Sequence, residues 1–225
     1  MTREKHAEVS RKIDAFRLME KLRRSIDGFR LLEPLEWILL FLYAANGRVS
    51  SRIHLQKGLF ILSRHIDELR NIIEFDAYRM GPWSEEVSDA LENAILNGFA
   101  SESRGMIVLT EYGFAKAKVL WDKLSEKYRK ILLDVARFVN AMSRDELLLY
   151  IYTVYGYSEK SDVINELLAK RREIATNIFL KGLISIELAS KIAGEPVPKF
   201  IEYLKKRGIK PFTAEVNDIE EAGKL

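Results

Sequence analysis

The stretch that most constrains this chain is residues 52–120, which reads RIHLQKGLFILSRHI, then FDAYRMGPWSEEVSDALENAILNGFA, then GMIVLTEYGFAKAKVL. Leu55, Leu59, Leu62 and Ile66 recur at i, i+4, i+7 and i+11, the apolar stripe of one helix. Residues 58–62 are apolar nearly all round, so this helix is read as buried. Pro82 and Ser84 open a second helix, with Glu85 and Glu86 in the first turn where carboxylates favour the helix dipole, and Gly98 closes it. Val87, Ala90, Leu91, Ala94 and Ile95 give that helix an inner face and leave Glu85, Asp89 and Glu92 as an acidic outer row. Phe75, Ala77, Met106 and Val108 read as short strands, with Ser103, Arg104 and Gly105 at a hairpin tip. Two helices, a Gly-tipped hairpin and a following helix make the order of a winged-helix unit. The expected fold is mainly α with a small antiparallel β hairpin or sheet, ending in a helix-turn-helix.

The flanks are read by the same periodicities. In residues 4–31, Val9, Ile13, Phe16, Met19, Leu22, Ile26 and Phe29 are spaced by three or four with Arg and Lys between them, a basic amphipathic helix. Its narrow stripe has to pack on the body of the protein or on a second copy, and its cations either touch phosphate or form a solvated face. Pro34 suits the first turn of a helix over residues 35–45 that Asn46 and Gly47 end. Residues 48–51 read as a short turn, with Ser51 capping the next helix. Residues 114–139 read as a long helix with a break near Ser125, and Ser143 with Glu146 is a capping-box spacing that starts a helix through Tyr155. Tyr150, Tyr152, Tyr155 and Tyr157 sit at helical spacing and are assigned to the core rather than to a stacking platform. The resulting division is a basic N-terminal helix (1–32), a winged-helix-like domain (33–140), a helical connector (141–169), a helix-turn-helix segment (170–212) and an acidic tail (213–225).

Charge bears on partners. The formal net charge is +3, but residues 170–212 hold ten Lys or Arg against four Asp or Glu, whereas residues 33–169 hold sixteen against twenty. A polyanion would therefore be met near the chain ends and not by the winged-helix unit. There is no cysteine, which excludes disulfides and thiolate zinc sites. The longest apolar run is too short to span a bilayer and the first residues lack the apolar core of a signal peptide, so the expected location is cytoplasmic, with no membrane partner. Of the three histidines, His54 and His65 are eleven residues apart on one helix, roughly 16 Å of rise, too far to share a metal. No phosphate loop, nucleophile elbow or HExxH motif occurs. The chain is expected to be no enzyme and to need no cofactor or metal.

LQKGLFIL, YRMGPWSEEV and IVLTEYGFAKA, in that order, resemble the winged-helix-like family that includes the Panacea antitoxin domain, in which an LQK helix precedes a GP(F/W/V)S turn and an LTE(K)G helix. The resemblance covers about half the chain and implies a regulatory or antitoxin module with no catalytic residues. A second resemblance lies in REIATNIFLKGLISIELASKIAGEPVPKFIEYLKKRGI, which looks like a small family of predicted antitoxins of archaea and cyanobacteria. Gly182, Ile184, Ser185, Ala189, Ala193, Gly194, Phe200, Arg207, Gly208 and Ile209 match its pattern. Glu195 and Pro196 stand where an apolar residue and Ser are usual, which is expected to loosen the turn between the two helices.

Read from its residues, this segment has Ser185 capping a helix, small Ala189, Ser190 and Ala193 admitting a second helix closely, and Gly194 turning the chain. The second helix, about residues 198–207, buries Phe200, Ile201 and Leu204 and exposes Lys199, Glu202, Lys205 and Lys206. A small-residue turn followed by a basic helix is a helix-turn-helix signature. The candidate DNA-contacting residues are Ser190, Lys191, Lys199, Glu202, Lys205, Lys206 and Arg207, with DNA, a cognate toxin protein and a second copy of the chain as expected partners. Two readings stay open: a nucleic-acid-binding regulator of antitoxin type, and a protein-interaction module that never touches DNA.

Overall fold

A computed structural model describes residues 32–210. The basic amphipathic helix expected within residues 1–31 and the acidic tail expected over residues 213–225 lie outside the described residues. The described chain is mainly helical, with a small three-stranded antiparallel sheet and a separate two-stranded hairpin. In order the elements are α1 (Pro34–Ala44), β1 (Arg48–Val49), α2 (Arg52–Ser63), α3 (Asp67–Arg70), β2 (Asp76–Tyr78), β3 (Gly81–Trp83), α4 (Glu85–Leu96), β4 (Ala100–Ser103), β5 (Met106–Leu109), α5 (Glu111–Lys123), α6 (Glu126–Ala141), α7 (Arg144–Tyr155), α8 (Ile164–Ala169), α9 (Arg171–Leu180), α10 (Ile186–Ala193) and α11 (Val197–Lys206).

Local signals place most of these ends. The side chains of Ser51, Ser84, Thr110, Ser125, Ser143 and Ser185 each accept a backbone N–H three residues on, at the starts of α2, α4, α5, α6, α7 and α10. Ser143 and Glu146 form the capping box that their spacing predicts. The long helix expected over 114–139 starts earlier, at Glu111, and breaks at Leu124, so that Ser125 caps a separate α6. Residues 48–51, read as a turn, instead contain β1, which pairs with β5 in the register Arg48↔Val108 and Val49↔Ile107. A two-residue strand is too short to show alternation in sequence, and only its pairing with β5 defines it. β4 and β5 form the expected hairpin, tipped by Arg104 and Gly105.

α1 and α2 form the centre. Trp37 through Leu42 on α1 and Leu55, Leu59, Phe60 and Leu62 on α2 are buried, the outcome expected of helices apolar on nearly every side. Gly58 is required where they meet: a Cβ there would lie 2.1 Å from the Phe41 ring. The tyrosines of α7 join this core. Phe60 meets Phe75, Tyr155 and Tyr157 edge-on at ring distances of 5.4, 5.2 and 4.9 Å, and Tyr150 packs on Phe138 at 4.8 Å.

The LQK and GPWS runs meet in space. The Gln56 side chain is buried, accepts the Ser84 N–H at 3.0 Å, and donates to the Ser84 carbonyl at 2.8 Å and the Ser88 hydroxyl at 3.1 Å. Lys57, fully buried, donates to the Pro82 carbonyl at 2.8 Å. The motif thus clamps the turn that starts α4. Gln56→Ala strands the buried Ser84 N–H and deletes packing, and is expected to cost about 3 kcal/mol in urea unfolding; a loss under about 1 kcal/mol would show that the turn holds itself.

The buried residues form one cluster that runs from Trp37 to Leu204. The segment 141–169, read as a connector, supplies part of it: Leu147, Leu148, Leu149, Ile151 and Tyr152 of α7 are buried. α7 packs against α2 on one side and α9 and α10 on the other. Lys181 ties the C-terminal helices to this strut by donating to Glu146 at 2.6 Å and to the Ala141 carbonyl at 3.0 Å.

Candidate nucleic-acid interface

α10, the left-handed turn at Gly194 and α11 make the helix-turn-helix that the small residues predict, with α9 packed behind them. Ala189, Ser190, Ile192 and Ala193 of α10 and Phe200 and Leu204 of α11 are buried, so the two helices meet on their small and apolar faces. Ile201 is half-buried.

The turn is clamped from α9. Arg172 grips Glu195 through two hydrogen bonds, Nε to Oε1 at 2.9 Å and a terminal nitrogen to Oε2 at 2.7 Å. Arg171 Nε donates to the Ile192 carbonyl at 3.1 Å. The looseness expected from Glu195 is therefore corrected, because its carboxylate, only 6% exposed, is the fixed acceptor for a planar guanidinium fork. That pairing raises the Arg172 pKa further above its ordinary value. The same guanidinium lies 4.7 Å over the Tyr203 ring, and that of Arg207 lies 5.0 Å from it. Sequence reasoning missed Arg171 and Arg172 as organisers of this site: their partners are 21 and 23 residues away, and no helical period reports such a separation.

The seven candidate contact residues divide. Lys199, Lys205 and Arg207 are exposed and belong to α11 or its C-cap, and Lys191 is exposed on α10. Lys206 and Glu202 pair at 2.7 Å, which holds the Glu202 carboxyl below its ordinary pKa. Ser190 is buried, 4% exposed, with its hydroxyl donated to the Glu187 carbonyl at 2.8 Å. It cannot reach a base edge, and the smallness that lets α11 approach is its role. Lys191, Lys199, Lys205 and Lys210 have no carboxylate partner among the described residues. The outward charge of the segment is carried by these four and by Arg207.

The winged-helix unit presents the opposite charge. Glu85, Asp89 and Glu92 of α4 are exposed as the periodicity predicts. Glu92 is not left alone: Arg52 of α2 donates to it at 2.6 Å and to Glu102 at 2.6 Å. The Arg52 pairing lowers the Glu102 pKa. Exposed pairs of this kind contribute little stability, and the α4 face keeps Glu85 and Asp89.

Among the described residues no group of three or more His, Asp or Glu could hold a metal ion, and no helix is long and apolar enough to cross a membrane. His54 is buried between the Ser51 hydroxyl at 2.8 Å and the Met142 carbonyl at 3.1 Å, and burial lowers its pKa. Compared with protein-family models, curated proteins and solved structures, the chain has no match.

Proposed function

We propose that this protein is a non-enzymatic, nucleic-acid-binding regulator of antitoxin type, which meets the phosphate backbone through α11 and uses its winged-helix-like body for assembly or toxin contact. The observation that carries the reading is the cationic face of the helix-turn-helix: Lys199 and Lys205 are exposed beside the buried Phe200 and Leu204, and among the described residues neither forms an ion pair with a carboxylate. Phosphate contact by lysine positions a protein on DNA without reading bases. Sequence choice is left to few groups, since Ser190 is buried and Glu202 is engaged by Lys206.

The acidic row of α4 argues against the winged-helix recognition position as a DNA reader, because Glu85 and Asp89 would be driven against phosphates. Exposed Leu96 (82%) and Tyr112 (64%) favour a protein surface on that unit. This is also the observation behind the second reading, a protein-interaction module without DNA binding.

Salt dependence separates the two. For a duplex from the protein's own promoter region, log K is expected to fall linearly with log salt, and Lys199→Ala and Lys205→Ala are each expected to reduce the slope by about 0.9. Lys206→Ala is expected to reduce it less, because Glu202 already offsets that charge. Fluorescence anisotropy at several salt concentrations measures the slopes, and slopes that none of the substitutions alters remove α11 from the interface.

A further inference from the structure

One guanidinium spans the joint between α10 and α11. Arg172 of α9 holds Glu195 in the turn by two hydrogen bonds, at 2.9 and 2.7 Å, and lies 4.7 Å over the ring of Tyr203 on α11. Beside it, Arg171 donates to the Ile192 carbonyl at 3.1 Å, and a Cβ at Gly194 would fall on the Arg171 guanidinium. The turn is fastened from α9 on both sides of Gly194. α10 gives α11 less grip, because Ala189, Ser190 and Ala193 on its buried face admit a second helix closely and resist its rotation little. The orientation of α11 is therefore set from α9, by a planar fork of fixed geometry.

We propose, resting on the reading of α11 as the helix that meets DNA, that Arg172 is a positioning residue for sequence discrimination: it fixes the angle at which α11 enters a DNA groove and touches no DNA itself. Its charge is offset by Glu195, whose side chain is 6% exposed, so it is not among the free cations that Lys199 and Lys205 supply. The two kinds of DNA contact differ in tolerance. A lysine on its flexible stem follows a phosphate through a small shift of α11, and attraction of this kind holds any sequence. A base edge is read by hydrogen bonds that need their side chains placed within about 0.5 Å and about 10–20°. Loosening the clamp costs discrimination first and general affinity last.

The test uses the full-length protein. Wild type selects a preferred duplex from a random-sequence pool, and affinities for that duplex and for a scrambled one of equal composition are measured by anisotropy at several salt concentrations. Arg172→Ala and Arg172→Lys are each expected to weaken binding of the preferred duplex about tenfold, the worth of one good base contact, while affinity for the scrambled duplex stays within about twofold and keeps its salt slope. Lysine keeps the charge but lacks the fork, so it does not rescue. Glu195→Gln separates the angle from the charge, because it sets an amide donor against Arg172 and removes a negative charge. That variant is expected to hold the scrambled duplex at least as tightly as wild type and still discriminate about tenfold less. An equal fall on both duplexes, a scrambled-duplex slope reduced by about 0.9 in Arg172→Ala, or full discrimination in Glu195→Gln overturns the proposal. Wild type that binds every duplex alike also overturns it, whereas wild type that binds none overturns the reading of α11 as the DNA-contacting helix.

Discussion

Gly113→Ala is expected to lower the stability of this protein by about 2–6 kcal/mol, although alanine is the better helix former by about 1 kcal/mol. The sign is decided by the neighbour. A Cβ at position 113 would lie 1.8 Å from the Phe99 carbonyl oxygen and 2.7 Å from its carbon. That carbonyl is backbone and cannot swing aside as a side chain would. It accepts the Thr110 N–H at 3.0 Å, and the Phe99 ring is stacked on Tyr112 at 4.9 Å. Nor can α5 withdraw without loss, because the Thr110 hydroxyl oxygen caps it through the Gly113 N–H at 3.0 Å while donating to the Gly98 carbonyl at 2.6 Å. Relief thus costs an overpacking strain of about 1–3 kcal/mol, a cap of about 1 kcal/mol and a stranded buried hydrogen-bonding group of about 1–3 kcal/mol. Gly105→Ala is the comparison: it is at the hairpin tip with open space around it and φ near +79°, so only a left-handed backbone penalty of about 1–2 kcal/mol applies. Urea midpoints for the two variants decide the matter, and equal losses would mean that α5 shifts freely.

The same residue shows what a sequence of this kind discloses. Ser143 with Glu146 announces a capped helix, and the pair caps α7, because a cap is a contact over three residues. Helix faces were legible for the same reason: Val87, Ala90, Leu91 and Ala94 are buried where their spacing puts them. What was not legible is contact across the chain. The approach of Phe99 to Gly113, the clamp of Gln56 and Lys57 on residues 82–84, and the grip of Arg172 on Glu195 each join residues that no period links. Strand β1 falls in the same class, since Arg48 and Val49 become a strand only by pairing with β5. In the candidate site, the basic face of α11 follows from Lys199 and Lys205 alternating with Phe200 and Leu204. Ser190 was read both as a small residue admitting the second helix and as a DNA contact, and its burial leaves it the first of these roles.

Lys57 carries the other large effect, and its sign depends on pH. The side chain is fully buried, its ammonium has the Pro82 carbonyl as acceptor, and no carboxylate among the described residues pairs with it. Burial disfavours the charged form and pushes its pKa down from 10.5 to about 7. Between those two values the unfolded chain holds a proton on Lys57 that the folded chain lacks, so stability rises with pH by about 1.4 kcal/mol per pH unit. Below about pH 7 both states are protonated and the dependence vanishes, leaving a deficit of about 5 kcal/mol relative to an unburied lysine. Lys57→Met keeps the length and apolar stem and removes the titration, but it strands the Pro82 carbonyl at about 1–3 kcal/mol. The variant is therefore expected to be the more stable protein at pH 7 and the less stable one near pH 10, the curves crossing at about pH 8–10. Urea unfolding of both proteins from pH 6 to 10 measures this as a difference, in which the titrations the two proteins share cancel. Parallel curves would show that Lys57 keeps its proton throughout and that a further acceptor holds it. A crossing would establish that a neutral amine spans α2 and the turn before α4, which gives the LQK run a structural role in the fold distinct from any contact with a ligand.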